Sequence, residues 1–349
     1  MKTADKVSFS KADENFLPKR ILIIRLHAIG DTAITLPLCQ ALRKLFPSAE
    51  IDYLAGERSM GLLQSLTIFN NIYSFPDYKI NRAPGFFIKL KRYKASFSMA
   101  LKLRRRKYDV FIDLQHNRIS KIIRKVSGVK YWSELDRYAP EPASLRMIDA
   151  FRLAGFNITP EHNLSIRKEL LENASKTLFD EGWNGKEKLV VLNPAGLWKT
   201  RNWQIENYVS LSELFLKNNN VKFLILGDER ISEKAKSISM KLDDKIIDLT
   251  EKTTLSEALT ILSMCSLLIS EDSALFHMSW ALGVPSLVML GSTRSDWTCH
   301  DSKHVLCLSS DDLECGNCME PECRYEDVHC LTRYSPEFVY KKAMSLFGK

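Results

Sequence analysis

The 349-residue chain has no uninterrupted run of about 18 apolar residues, which excludes an ordinary membrane-spanning helix. It also lacks the composition of a disordered chain, since 45% of it is hydrophobic and 26% is charged. The first twenty residues, MKTADKVSFSKADENFLPKR, mix acids and bases around no apolar segment, so a secretory leader is not expected. These absences predict a cytoplasmic globular protein with a polar tail over residues 1–19. Its length suits about two domains.

Without a leader, disulfides are not expected either. Of eight cysteines, Cys39 and Cys265 are isolated, while Cys299, Cys307, Cys315, Cys318, Cys323 and Cys330 crowd towards the end. The segment CGNCMEPECRYEDVHC has the spacing C-x2-C-x4-C-x6-C, and its first pair resembles half of a structural zinc site. The well-separated second CxxC of a zinc ribbon is missing. We therefore read Cys315, Cys318, Cys323 and Cys330 as free thiols, with a structural metal as the alternative.

What is present in excess is positive charge. Fifty Lys and Arg against forty-two Asp and Glu give +8, and the surplus is concentrated between Lys89 and Lys130. That region includes Arg104, Arg105, Arg106 and Arg118. A patch this basic attracts phosphates, and nucleic acid, anionic lipid and a phosphorylated glycolipid all fit it. It also reads as a solvated helix face, with Leu90, Phe97, Leu101 and Leu103 marking a core side.

The stretch ILIIRLHAIGDTAITLPLCQALRKLFPSAEIDYLAG has a β-branched run, a Gly30-Asp31 loop, apolar residues at helical spacing and a second strand. This is a βαβ unit. Pro37 is tolerated only near a helix start, so the helix is expected to begin just after Gly30-Asp31. Asp31 then lies at the carboxyl end of a strand, where ligands bind in open α/β sheets. NIYSF and YDVFIDLQ continue a parallel sheet around the basic helical region. After a polar helix the pattern restarts with KLVVLNPAG, VKFLILGD, KIIDLT, SLLISEDS and SLVMLGS as strands. Gly283-Val284-Pro285 stops the helix ALFHMSWAL, and SPEFVYKKAMSLFGK closes the chain as a capped helix. The expected organisation is a domain over 20–165, a linker over 166–187, a second domain over 188–333 with a Cys-rich end, and a terminal helix over 334–349.

Three strand-end loops carry candidate chemistry: HAIGD, NPAGLWKTRNW and SEDSALFH. In the third, Asp272 and Ser273 cap a helix whose first N–H groups attract phosphate, and His277 lies in its first turn. In the second, Lys199 and Arg201 follow the turn containing Gly196 and sit between Trp198 and Trp203. Arginine grips two oxygens at once, and both cations neutralise a departing diphosphate without a metal. Asp31 is a carboxylate able to take a proton from an attacking hydroxyl, or else a helix cap.

R-x5-D in RLHAIGDTAITLP, NPAG-x4-R-x-W, LGDE and SEDS-x3-H followed by ALGVP and LGST, in this order, resemble the heptosyltransferase family, glycosyltransferase family 9. The resemblance runs from about residue 20 to the end, and it is nearer to the second type of lipopolysaccharide core heptosyltransferase than to the first. It implies an α/β GT-B fold, with two Rossmann-like doubly wound domains facing a central cleft, acceptor on the first and nucleotide sugar on the second. It implies inverting transfer of heptose or a related sugar from a nucleotide diphosphate, ADP-heptose by preference, to a lipopolysaccharide core or related lipid-linked glycan. No cofactor or catalytic metal is implied.

Carried over to this chain, the family pattern makes Asp31 the general base, Arg201 the cation before the tryptophan, Glu229 a ribose contact and Thr253 a further donor contact. Asp272, Ser273, Ala274 and His277 correspond to the family's Asp-Ser/Thr-Gly-x-x-His signature. Ala274 stands where the family has glycine, Pro194-Ala195-Gly196 replaces Pro-Gly-Ala, and Gly291-Ser292-Thr293-Arg294 lacks a proline. An inactive nucleotide-sugar-binding partner is the alternative reading. The implied partners are the donor, a phosphorylated lipid-linked acceptor and an anionic inner-membrane surface, with no nucleic acid. Arg104, Arg105, Arg106 and Arg118 are expected to face the acceptor or the membrane.

Overall fold

A computed structural model describes residues 7–13, 15–76 and 86–348. The chain divides after Ser165 into two compact units.

The first unit holds strands β1 (Phe9–Ser10), β2 (Arg20–Arg25), β3 (Glu50–Gly56), β4 (Asn71–Phe75), β5 (Val110–Asp113) and β6 (Tyr131–Glu134). Their order in the sheet is β1-β6-β5-β2-β3-β4, parallel throughout except for β1 against β6. Ile21 to Ile24 of β2 are wholly buried, as suits a parallel strand covered on both faces. The covering helices are α1 (Ile29–Leu45), α2 (Met60–Gln64), α3 (Phe86–Arg104), α4 (Arg118–Ser127) and α5 (Ala143–Leu153). The chain runs outward from β2 to β4, then crosses back to β5 beside β2. The loops after β2 and β5 therefore flank a topological switch point, the place where such sheets bind ligands.

Two local expectations are corrected. Helix α1 starts at Ile29, before Gly30-Asp31, and Pro37 lies inside it. The lost backbone bond is tolerated because nearly every side chain from Gly30 to Gln40 is buried, so packing rather than backbone bonding holds the helix. In α3, only Leu103 of the four expected core leucines and phenylalanines is buried. Ser96 and Ala100 complete the inner face, and Leu90, Phe97 and Leu101 are exposed.

The second unit opens with α6 (Lys168–Asp180), so the segment expected as a linker contains a helix of this unit that packs on α9. Then come β7 (Lys188–Asn193), α7 (Ile205–Asn218), β8 (Val221–Ile225), α8 (Ser232–Leu242), β9 (Ile246–Asp248) and α9 (Leu255–Ser263). They are followed by β10 (Leu267–Glu271), α10 (Ala274–Leu282), β11 (Ser286–Met289), α11 (Ser295–Thr298), β12 (Val305–Leu308), α12 (His329–Thr332) and α13 (Pro336–Met344). The parallel sheet has the order β12-β11-β10-β7-β8-β9, which puts its switch point between β7 and β10. Gly283 ends α10 in the left-handed conformation that glycine adopts without strain, at φ 72°. Ser335 caps α13, whose Tyr340 meets Phe215 of α7 edge-on at 4.9 Å between ring centroids.

Cys299 and Cys307 form a disulfide, against the expectation of none. The chain turns back between α11 and β12, bringing their Cα atoms to 6.2 Å. The remaining six cysteines are free. Among the described residues no group of three His, Cys, Asp or Glu side chains is placed to hold a metal ion. Cys315, Cys318, Cys323 and Cys330 line a cavity of about 950 Å³ together with Thr200. Replacing all four by serine is expected to leave turnover intact in the protein that folds. Elemental analysis of purified wild type checks the thiol assignment, and near one equivalent of zinc or iron would overturn it.

Candidate active site

On the first unit the site is built from the loop after β2. Ala28 precedes α1 and has no side chain able to cap it, so Asp31, three residues on, reaches back and accepts the Ala28 N–H at 3.1 Å. The same oxygen, Oδ2, takes the Arg25 guanidinium at 2.5 Å. The approach to Asp31 is fixed from the neighbouring strand: Gln115, just past β5, accepts the N–H groups of Leu26 and His27 at 2.8 and 3.1 Å. Arg137 and Arg146 join Arg25 and Asp31 around a pocket of about 140 Å³, floored by Leu135 and Met147. Burial lowers the Arg146 pKa and the nearby Asp31 charge opposes that shift. One carboxylate among three guanidiniums makes a net cationic pocket suited to an anionic ligand.

On the second unit the loop after β7 carries Arg201. Its guanidinium lies 3.9 Å over the Trp198 ring and pairs with Asp272 Oδ2 at 3.1 Å. Asp272 also accepts from Thr293 Oγ1 at 3.0 Å. Nε of Arg201 is buried with no hydrogen-bond partner among the described residues. Ser273 caps α10 by accepting the Phe276 N–H, and donates to Asn193 at the end of β7 at 2.7 Å. His277 Nδ1 and His300 Nε2 are 2.9 Å apart, and His300 stacks on Trp280. Ala274 opens α10 in helical backbone, so the position needs no glycine conformation. Gly196 does have a steric reason, because a Cβ there would lie 2.2 Å from the Arg201 carbonyl oxygen.

The structure thus brings Gly196, Arg201, Asp272, Ser273 and Ala274 to the β7/β10 switch point. Lys199 turns outward, its side chain 82% exposed and 3.7 Å from Glu322. Glu229 and Thr253 lie on the loops after β8 and β9, exposed and half-buried respectively.

The structure places Arg104, Arg105 and Arg106 away from the Asp31 pocket. Helix α3 runs back against the strands, so its end reaches the amino edge of the sheet, away from Asp31. There Arg106 pairs with Glu50 at 2.5 Å and its carbonyl accepts from Arg20 at 3.1 Å. Arg118 opens α4 on the Asp31 edge and is exposed.

Glu271 and Lys234 carry no signal in the sequence that sets them apart. Glu271 is wholly buried at the end of β10, and its two oxygens accept the Gly196 and Trp203 N–H groups, each at 2.6 Å. Lys234 of α8 donates to the Pro194 carbonyl at 2.9 Å and to Asn202. Together they hold both ends of the Arg201 loop. Burial raises the Glu271 pKa to about 7, against the pull of Lys234 and the two N–H donors. The folded protein therefore holds this proton more tightly than the unfolded chain. The resulting stability is full below about pH 4.5 and is lost as pH rises to about 7. Relative to Glu271→Gln, which does not titrate, wild type should lose on the order of 3 kcal/mol across that interval. Chemical denaturation of both proteins at pH 5 and pH 8 measures the difference, and parallel pH profiles would refute it.

Residues 96–329 match the sequence model of glycosyltransferase family 9 (heptosyltransferase). The chain belongs to glycosyltransferase family 9. This family 9 chain is 24% identical over 332 residues to lipooligosaccharide heptosyltransferase 2 of Campylobacter jejuni, covering 91% of its own length and 95% of that relative. It is 23% identical over 287 residues to a lipopolysaccharide core heptosyltransferase of Haemophilus influenzae, with 77% and 78% covered. Among solved structures, the ADP-heptose lipopolysaccharide heptosyltransferase II of E. coli aligns with a TM-score of 0.70 at 18% identity, over 94% of this chain and 98% of that one. The two doubly wound units of this family 9 glycosyltransferase are accordingly those of the GT-B fold.

Proposed function

We propose that the protein transfers heptose from ADP-heptose to a phosphorylated, lipid-linked core oligosaccharide, with inversion at the anomeric carbon and without a metal. The observation that carries this reading is the Asp31 pocket, which joins a carboxylate to Arg25, Arg137 and Arg146 at the first sheet's switch point. The arginines suit acceptor phosphates, and Asp31 takes the proton of the acceptor hydroxyl as its oxygen bonds to the anomeric carbon. The bond from that carbon to the diphosphate breaks as the new one forms. Arg201, steadied by Asp272 and Trp198, neutralises the departing diphosphate. This cation supplies charge a metal would otherwise bring. The choice of donor is supported by the activity named for the E. coli structure, and the choice of acceptor by that named for the H. influenzae relative. The protein works at the cytoplasmic face of the inner membrane, where a lipid-linked acceptor is presented, and nucleic acid is not its partner.

Thermal-shift titration with nucleoside diphosphates, followed by a transfer assay with ADP-heptose, tests this function. ADP should raise the unfolding midpoint more than other diphosphates do, because it binds the native state alone. Stabilisation by ADP without turnover would favour an inactive donor-binding partner, and stabilisation by another base would replace the donor.

A further inference from the structure

Helix α3 turns its large apolar side chains outward. At 3.6 residues per turn, Leu90, Tyr93, Phe97 and Leu101 fall within about 80° of one another on the helix surface. They are 41%, 41%, 53% and 43% exposed. The inner face is made instead by Ser96, Ala100 and Leu103, all wholly buried. Beneath the outward stripe, Ile122 of α4 closes a groove of about 550 Å³ against Tyr93, Phe97 and Leu101. Exposed apolar surface of this extent on a packed helix marks something that covers it.

The charge around the stripe says what that is. Helix α3 contains no Asp or Glu and exposes Lys89, Lys94, Lys102 and Arg104, with Arg105 exposed just past its end. Helix α4, packed alongside, also lacks acids and exposes Lys121 and Lys125. A second copy docking stripe to stripe would set these cations against one another. An anionic bilayer answers both halves of the surface, taking the apolar residues among its acyl chains and the cations among its headgroups. No helix among the described residues is long and apolar enough to cross a membrane, so α3 would lie in the interface plane. The helix enters from the carboxyl edge of the sheet, the Asp31 edge, because it follows β4 and leads into β5.

We infer that α3 is an in-plane membrane anchor, inserting Leu90, Tyr93, Phe97 and Leu101 into an anionic lipid surface. This rests on the reading above only in taking the acceptor to be lipid-linked. It differs from a general basic attraction in requiring the apolar stripe. The test is flotation of the full-length protein, without donor or acceptor, on phosphatidylcholine vesicles with and without phosphatidylglycerol. Wild type should bind the anionic vesicles, and high salt should weaken that binding without abolishing it. Phe97→Glu with Leu101→Glu should lower binding by about tenfold or more, while Lys89→Gln with Lys94→Gln gives a smaller loss and removes part of the salt dependence. Transfer to a soluble, delipidated acceptor should be unchanged in both variants. That assay also keeps the two readings apart, since vesicle binding is measured without turnover. No binding to anionic vesicles, or equal binding by the Phe97/Leu101 variant, would overturn the anchor. So would a wild-type dimer in light scattering that the same variant dissociates.

Discussion

Asp31→Asn is expected to yield a folded protein that binds donor as wild type does and transfers sugar at least about 10²-fold more slowly. Asparagine still offers an oxygen to the Ala28 N–H, so the start of α1 survives. It cannot pair with Arg25, whose charge is then left in a largely buried position. That loss should cost about 1.5–3 kcal/mol, the range for a hydrogen bond to a charged group, and lower the melting temperature without unfolding a domain of ordinary stability. The rate falls for a separate reason, because an amide cannot accept the acceptor's proton. The two effects are separable by measuring melting temperature, donor affinity and kcat on one preparation. A folded Asp31→Asn protein with near wild-type transfer would remove Asp31 from the chemistry.

Arg201→Ala should lower turnover by roughly 10²- to 10³-fold, the scale for losing one preorganised electrostatic contact to a charge that develops in the transition state. The guanidinium is already oriented by Asp272 and by the Trp198 ring, so it needs little rearrangement to meet a diphosphate. Steady-state kinetics should show most of the loss in kcat rather than in KM, since the contact strengthens as the leaving group gains charge. Trp203 stands in the same loop as a control. It is buried, and its indole N–H donates to the Tyr334 carbonyl at 3.0 Å, so Trp203→Phe should reduce stability more than turnover. Wild-type kcat in Arg201→Ala would take the loop out of the mechanism.

The architecture was legible because parallel strands buried on both faces leave unbroken runs such as ILII and LVVL, and the second run restarts the pattern of the first. The strand-end positions of Asp31, Arg201, Asp272 and Ser273 followed from that pattern. What packs against them did not. Arg137 and Arg146 reach the Asp31 pocket from more than a hundred residues along the chain, and nothing in their local sequence sets them apart from other surface arginines. Glu271 was visible only as a neighbour of Asp272, since a buried carboxylate and an exposed one look alike in sequence. Local pattern also misled for α3, where small residues form the inner face and large ones the outer. The Cys299–Cys307 bond depends on a chain reversal that spacing does not encode.

The way the Arg201 loop is held bears on how this enzyme could be re-engineered or could diverge. The segment from Pro194 to Trp203 looks self-contained, an obvious cassette to exchange between relatives of different donor preference. Its anchors lie elsewhere: Glu271 grips the Gly196 and Trp203 N–H groups from β10, and Lys234 grips the Pro194 carbonyl from α8. A transplanted cassette would arrive without them, and a recipient with a different pair at those places would receive the right letters in the wrong shape. The shape of the Arg201 loop is therefore inherited as three separated pieces of sequence, which must change together or not at all.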